Sequence, residues 1–542
     1  MKALSPRLGL VLVWALLTVV SIWLRPLIPI DETRYAAVAW EMWLRHDWLV
    51  PYINGAPYSH KPPMLFWLIN LGWGLLGVHD WVPRLVTAVA TLADLFLLGA
   101  LARRLWPQDV ATARVVPWVF YGCLIVALFG TTLMFDLLMT VTVLLGLLGL
   151  VGAWQQGGWR NWALYGLGIG LGILSKGPAI LLYLLPAALL APWWMGERYA
   201  AGWGRWYRNV GLALLLGIAV ALCWAIPAVI KGGDEYREMI LWGQTAGRMV
   251  KSFAHARPWW WYLPILPILL LPWSLWLPLW RGLPALRRAF GAAERFCLAW
   301  FLPGLLAFSA VSGKQIHYLL PLLPALLLLG GRALSLGSEA RRPGWGAALL
   351  AILPFVVLGA LAAAAPQLAA KYRWPAWVGE MSPLWGVALS VAVLPWLLLL
   401  RRPAANLWLA VMPAVFLVVL HFGVLRIAAP TFELRQLSDA IAAQVEAGKP
   451  VALSAQYRDQ YPFSRRMPRA LQLVDEGEEL AWARANPQGV LVVNHKDLSA
   501  EQRAAALVAQ PFRGGDSVLW SAATLVEHPE YLGGDSAEQD GE

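Results

Sequence analysis

Carboxylates and cations recur in short, well-separated clusters along a chain that otherwise carries little charge. Asp31-Glu32-Thr33-Arg34-Tyr35 comes first, followed by Glu41, Arg45, His46 and Asp47, then by Tyr58 and His60-Lys61-Pro62-Pro63. Asp136 follows Leu133-Met134-Phe135 and precedes a long apolar run, and Ser175-Lys176-Gly177-Pro178 forms a tight turn. The stretch 232–258 contributes Arg248, Lys251, His255 and Arg257, and Lys314 and Tyr318 stand at the head of a later apolar run. A carboxylate beside a reacting centre can act as base or stabilise a developing positive charge, and cations from several loops can clamp a phosphate. Cleaving a sugar–phosphate bond asks for both, because charge builds at the anomeric centre as the phosphate leaves. The chain has no Gly-rich phosphate loop and no dinucleotide fingerprint, which fits a donor other than a soluble nucleotide.

Several of these residues also have plainer roles open to them. Asp31 and Glu32 suit the opening turn of a helix, where a carboxylate stabilises by about 0.3–1 kcal/mol. Lys61 and Lys176 could snorkel, although a nearby proline fixes the backbone after each. Asp94 is expected to be a packing or hydrogen-bonding group, and Trp259-Trp260-Trp261-Tyr262 an interfacial belt. Asp136 is the strongest functional candidate, since an ionisable group at bilayer depth is costly. Cys123, Cys223 and Cys297 sit apart in apolar stretches and form no disulfide framework.

The elements that must position these groups are membrane spans. Of 542 residues, 59% are hydrophobic and 14% charged, against roughly 25% charged in soluble proteins. This excludes a soluble globular or disordered chain. The apolar run after Lys2 and Arg7, from Leu8 to about residue 28, is too long for a signal-peptide core and gives a first, uncleaved span. Twelve more are expected at about 81–104, 112–129, 134–154, 160–174, 178–195, 209–231, 259–280, 294–311, 315–334, 344–365, 383–400 and 406–426. Residues 62–78 are read as interfacial. With that choice the cytoplasmic segments hold eighteen basic residues against four acidic ones, as the positive-inside rule demands; if 62–78 spanned, the balance would invert. The expected fold is therefore mainly α, a polytopic membrane domain over 1–430 with outer loops at 30–80 and 232–258. A small soluble α/β domain follows at 431–542, with strands at 451–454 and 490–493 and helices at 434–447 and 499–509. The N-terminus lies inside and the C-terminal domain outside, so the reactive clusters share the outer surface. The net charge of +11 then reports topology, and nucleic acid is excluded as a partner.

In their order and common placement, the DETRY (31–35), HKPP (60–63), FD (135–136), SKGP (175–178), HARPWWWY (255–262) and KQIHYLLP (314–321) segments resemble the bacterial GT-C integral-membrane glycosyltransferases. The likeness is closest to the aminoarabinose transferases that modify lipid A, and extends more distantly to protein O-mannosyltransferases. The resemblance implies an inverting transfer from a sugar on undecaprenyl phosphate to lipid A or another envelope glycan or lipid, at the periplasmic face of a bacterial inner membrane. It implies Asp31 and Asp136 as the catalytic carboxylates, and Lys61, Arg248 and Arg34 on the donor phosphate. Tyr35, Tyr58, His60, Lys176, His255, Arg257 and Tyr318 would line the cavity. Two departures stand out. The aminoarabinose transferases have Glu where His60 stands, and a His where Thr245 stands; in that subfamily the two look like a metal pair. A divalent metal is thus left open as a cofactor, with only His60 and His255 as candidate ligands. The competing functions are a lipid or sugar flippase or transporter, which would show midplane charges and inverted repeats, and a protein O-glycosyltransferase.

Overall fold

The protein is seen in a computed structural model that describes residues 5–196, 199, 201–240, 256–337, 342–372, 374–433, 435–454, 461, 463–468, 470–512 and 515–532. It is mainly helical. Among the described residues, seven helices are long and apolar enough to cross a membrane, and five shorter apolar helices accompany them. Prolines account for much of the shortening. The expected runs 178–195, 259–280 and 383–400 break where Pro192, Pro272 and Pro395 open new helical pieces, since proline cannot supply the N–H that continues a helix. The run 315–334 likewise opens as a 3-10 turn, Ile316–Leu319, before the helix Leu323–Leu336.

At the centre lies an antiparallel helical hairpin, Phe135–Gln156 and Trp159–Lys176, turned by Gly157 and Gly158 in the left-handed region (φ 65 and 81). Glycines let the two helices touch. A Cβ on Gly149 would lie 2.5 Å from the Tyr165 backbone nitrogen, and one on Gly168 would lie 2.6 Å from the Gly146 Cα. Small residues of this kind allow close helix packing in membranes. Helices of 22 and 18 residues are about 33 and 27 Å long, so the start of the first and the end of the second meet. Those ends carry Asp136 and Lys176.

The segment between the first helix (Pro6–Leu24) and the helix Val82–Leu105 builds a separate layer. It holds the DETRY helix, Asp31–Arg45, and the helix Met64–Leu76. The latter has 13 residues, about 20 Å, short of the roughly 30 Å hydrocarbon core. Between these helices a two-strand hairpin, Tyr52–Ile53 with Ala56–Pro57, turns at Asn54 and Gly55 (φ 48 and 81), the Asn-Gly chemistry of a type I′ turn. Its Gly55 N–H donates to Glu41 Oε2 at 3.1 Å. The hairpin delivers Tyr58, His60 and Lys61 to the head of the Met64–Leu76 helix.

The C-terminal part holds a five-stranded mixed sheet in the order 472–474, 451–454, 490–495, 515–521, 508–512. The first three strands are parallel and the last two antiparallel. The strands at 451 and 490 and the helix Arg435–Glu446 lie where expected. The expected helix 499–509 does not: it spans Ala500–Ala505 and gives way to a strand, Val508–Phe512. Leu507 onward pairs with the strand Gly515–Ser521, and Pro511 is tolerated because that strand is at the sheet edge. Segment 463–467 docks onto the DETRY and Met64–Leu76 helices. Phe463 stacks on Trp73 at 5.0 Å, Trp40 Nε1 donates to the Met467 carbonyl at 3.0 Å, and Arg466 pairs with Asp80.

Candidate active site

Asp136 stands in the first turn of its helix, 1% exposed, and its Oδ1 accepts from Lys176 Nζ at 2.5 Å. The hairpin geometry makes this pair unavoidable. Gly177 (φ 80) stops the second helix one residue after Lys176, and the ammonium lies 5.0 Å from the Tyr318 ring centroid, a cation–π contact. Asp136 Oδ2 is buried and has no hydrogen-bond partner among the described residues. Such an atom costs about 1–3 kcal/mol, and its retention points to use.

Asp31 opens the DETRY helix with its side chain half exposed. Tyr35, one turn on, donates its hydroxyl to Asp31 Oδ1 at 3.2 Å, and Arg34 Nη2 lies 3.9 Å from the same oxygen. Burial, reinforced by the Asp31 charge, pushes the Tyr35 phenol well above its ordinary pKa, so it stays a donor. Tyr35 also meets Phe135, the residue before Asp136, edge-on, which links the DETRY helix to the start of the Asp136 helix. Beneath them runs an aromatic floor. Tyr35 meets Phe135 edge-on at 4.9 Å, Phe135 meets Phe66 at 5.7 Å, and Phe66 meets Tyr58 at 6.1 Å. Tyr58 in turn faces His60 at 5.3 Å.

Three residues outside the expected set complete the arrangement. The ring of His317 meets Tyr318 edge-on at 4.9 Å, and the Tyr318 ring in turn carries Lys176. It lies within the KQIHYLLP segment, whose order was the only signal for it. Arg25 and Arg84 bracket Glu32. Arg84 Nη2 and Arg25 Nη2 reach the Glu32 carboxylate at 2.6 and 3.3 Å. That carboxylate also accepts from the Ile28 N–H and the Leu133 N–H, both at 2.7 Å. Glu32 therefore does not cap its helix; it ties the DETRY turn to the loop that presents Asp136. Burial alone would raise its pKa, but Arg84 and Arg25 outweigh that and hold it at about 2.

Not every expected residue converges. Arg257 is exposed at its side chain, and its backbone is what engages: its N–H donates to the Ser312 carbonyl at 3.1 Å and its carbonyl accepts from Lys314 at 3.0 Å. Arg248 and His255 lie outside the described residues. The Trp259–Tyr262 run divides. Trp259 and Trp260 are exposed as a belt requires, whereas Tyr262 turns inward and donates to the Gln315 carbonyl at 3.0 Å. Asp94 is fully buried and makes no hydrogen bond among the described residues, so of the two roles expected for it, packing or hydrogen bonding, it takes the packing one. The helix that starts at Trp203 breaks at Gly233 (φ 76), beside the expected loop start at 232, and a further short helical piece follows to Glu238.

With this geometry the relatives can be weighed. Residues 60–230 match the family described as dolichyl-phosphate-mannose-protein mannosyltransferase. An undecaprenyl phosphate-alpha-4-amino-4-deoxy-L-arabinose arabinosyl transferase of Pseudomonas aeruginosa is 33% identical over 410 residues, covering 67% of this chain and 71% of the relative. The chain belongs to the aminoarabinose transferase family. It is a glycosyltransferase and a multi-pass membrane protein. A further family member, from Pseudomonas fluorescens, is 33% identical over 311 residues, covering 56% of this chain and 55% of that protein. The fold agrees: the crystal structure of ArnT from Cupriavidus metallidurans bound to undecaprenyl phosphate matches with a TM-score of 0.74 at 21% identity, covering 94% of this chain and 97% of that one. Among the described residues no group of three or more His, Cys, Asp or Glu side chains gathers that could hold a metal ion; Thr245 and His255 lie outside the described residues, and no step below uses a metal.

Proposed function

We propose that this enzyme moves a sugar from an undecaprenyl-phosphate-linked donor to lipid A or a similar envelope acceptor, at the periplasmic face of the bacterial inner membrane. The observation that carries the reading is the Asp136 carboxylate, fixed through one oxygen by Lys176 and with the other buried and without a hydrogen-bond partner among the described residues. The acceptor oxygen attacks the anomeric carbon, the bond from that carbon to the phosphate oxygen breaks, and undecaprenyl phosphate leaves with both bonding electrons. An acceptor hydroxyl gives its proton to Asp136 or Asp31; an acceptor phosphate is already anionic and needs only to be positioned. Lys61 and Arg34 neutralise the leaving phosphate, and Arg248 belongs with them by its place in the sequence. Thirteen crossings, an inner N-terminus and an outer C-terminal domain complete the proposed topology, supported by the eighteen-to-four charge asymmetry.

Lys61→Ala tests the donor half. Loss of one charge-assisted contact of about 1.5–3 kcal/mol is expected to raise the KM for the undecaprenyl-phosphate-linked donor by one to two orders of magnitude, measured by transfer in detergent micelles. A flippase would show no transfer there at all. The match of 60–230 to protein mannosyltransferases supports a second acceptor class. Mass spectrometry of envelope lipids and periplasmic proteins with and without the enzyme separates the two: a changed lipid A mass supports the leading reading, and a glycosylated protein with unchanged lipid A replaces it.

A further inference from the structure

A cavity of about 980 Å³ opens at the seam of the first helix, the helix Val82–Leu105, the helix Arg426–Phe432 and the C-terminal domain. It lies behind the DETRY helix. Thr33 lines it, whereas Asp31 and Tyr35, each two residues away and so about 200° around the helix, face the catalytic side. Its walls differ in character. Val19, Ile22, Trp23, Leu85 and Phe432 form an apolar side, continuous with the outer face of the first helix, where Trp23 is 75% exposed. Arg25, Arg84, Arg426, Arg435 and Arg465 form the other side, against Asp80 and Glu433. Four of these guanidiniums have a carboxylate partner: Arg25 and Arg84 share Glu32, Arg435 pairs with Glu433 and Arg465 with Asp439. Arg426 is exposed and has no ion pair among the described residues.

A ligand that suits both walls carries an anionic head over hydrocarbon chains. We propose that this cavity holds one anionic glycerophospholipid of the surrounding bilayer, its phosphate beside Arg426 and its chains along Val19, Ile22 and Trp23. The donor is assigned elsewhere, because Lys61, Arg34, Asp31 and Asp136, the residues proposed to act on it, are not among those that line this cavity. The site is nonetheless linked to the reaction. Arg25 and Arg84 line it and hold Glu32, which fixes the Leu133 N–H ahead of Asp136.

The test uses the full chain in nanodiscs with a photoactivatable phosphatidylglycerol, and an equivalent phosphatidylcholine as control. Phosphatidylglycerol is expected to label peptides within 18–27 and 426–433, with the choline lipid labelling them at least tenfold less. Arg426→Gln is expected to reduce labelling about tenfold, the effect of one charge-assisted contact. Trp23→Ala, at an exposed position, is expected to reduce it through the acyl wall while the protein stays folded by its thermal midpoint. Equal labelling by both lipids, label mapped elsewhere, or no effect of either substitution overturns the proposal. So does displacement of the label by inorganic phosphate alone, which would make this a free-anion site, or preferential displacement by lipid A, which would make it an acceptor site.

Discussion

Asp136→Asn is expected to lower the rate of sugar transfer by about 10²–10³-fold, with little change in donor KM and a normally folded protein. The magnitude is that of removing one preorganised charge contact to a transition state, about 3–4 kcal/mol. The split between kcat and KM follows from geometry. The carboxylate is 1% exposed and held by Lys176, whereas the donor phosphate is assigned to Lys61, Arg34 and Arg248. Asparagine keeps the shape and one oxygen for Lys176, so folding is preserved while the negative charge is lost. Lys176→Met makes the complementary change. It leaves the buried carboxylate without its counter-charge, so a loss of stability of about 3–5 kcal/mol is expected, while the rate of the folded fraction falls by at most about tenfold. Single-turnover measurements with saturating donor would check both. Near-normal turnover in Asp136→Asn would move the catalytic role to Asp31.

The contrast between Asp136 and Glu32 shows how far the sequence could be read. Both are carboxylates at the edge of an apolar run, and both sat in segments whose order pointed to one outer surface. Asp136 could be singled out because its neighbours in the chain leave it no local partner. Glu32 could not be told from Asp31 by type or spacing, because its partners, Arg25 and Arg84, are 7 and 52 residues away and only the packing of three segments unites them. The same limit hid His317, whose place in the site depends on the long-range meeting of its neighbour Tyr318 with Lys176. Local signals for other features were present but went unread: Asn54-Gly55 marks its hairpin, and the glycines of two helices mark the close packing that brings Asp136 to Lys176. Where proline interrupted an apolar run, hydropathy saw one span and the backbone made two pieces. At 499–512, a helical start followed by an edge strand escaped notice because Ala-rich and β-branched residues adjoin without a break.

Glu32→Gln is expected to destabilise the protein by about 3–5 kcal/mol, the cost of leaving buried charge without its counter-charge. The figure applies because all three side chains are 3–5% exposed, beyond the reach of solvent screening. Two guanidiniums would remain in the interior facing a neutral amide. The pH dependence gives the effect a signature. Glu32 is held at about 2 in the folded protein against an ordinary value of 4.5, so its contribution is fully present above pH 4.5 and is lost as pH falls through 2. The wild-type advantage over Glu32→Gln, read as the difference in thermal midpoint in detergent, should therefore be flat from pH 7 to about 5 and shrink below that. A difference that stayed constant down to pH 3 would assign the loss to packing instead of charge. Activity adds a second axis. Because the same carboxylate fixes the Leu133 N–H, the folded fraction of the variant should also turn over more slowly, with kcat falling further than donor affinity. A variant that lost stability but kept full kcat would separate the ion cluster from the catalytic loop, and Glu32 would then hold the fold without positioning Asp136.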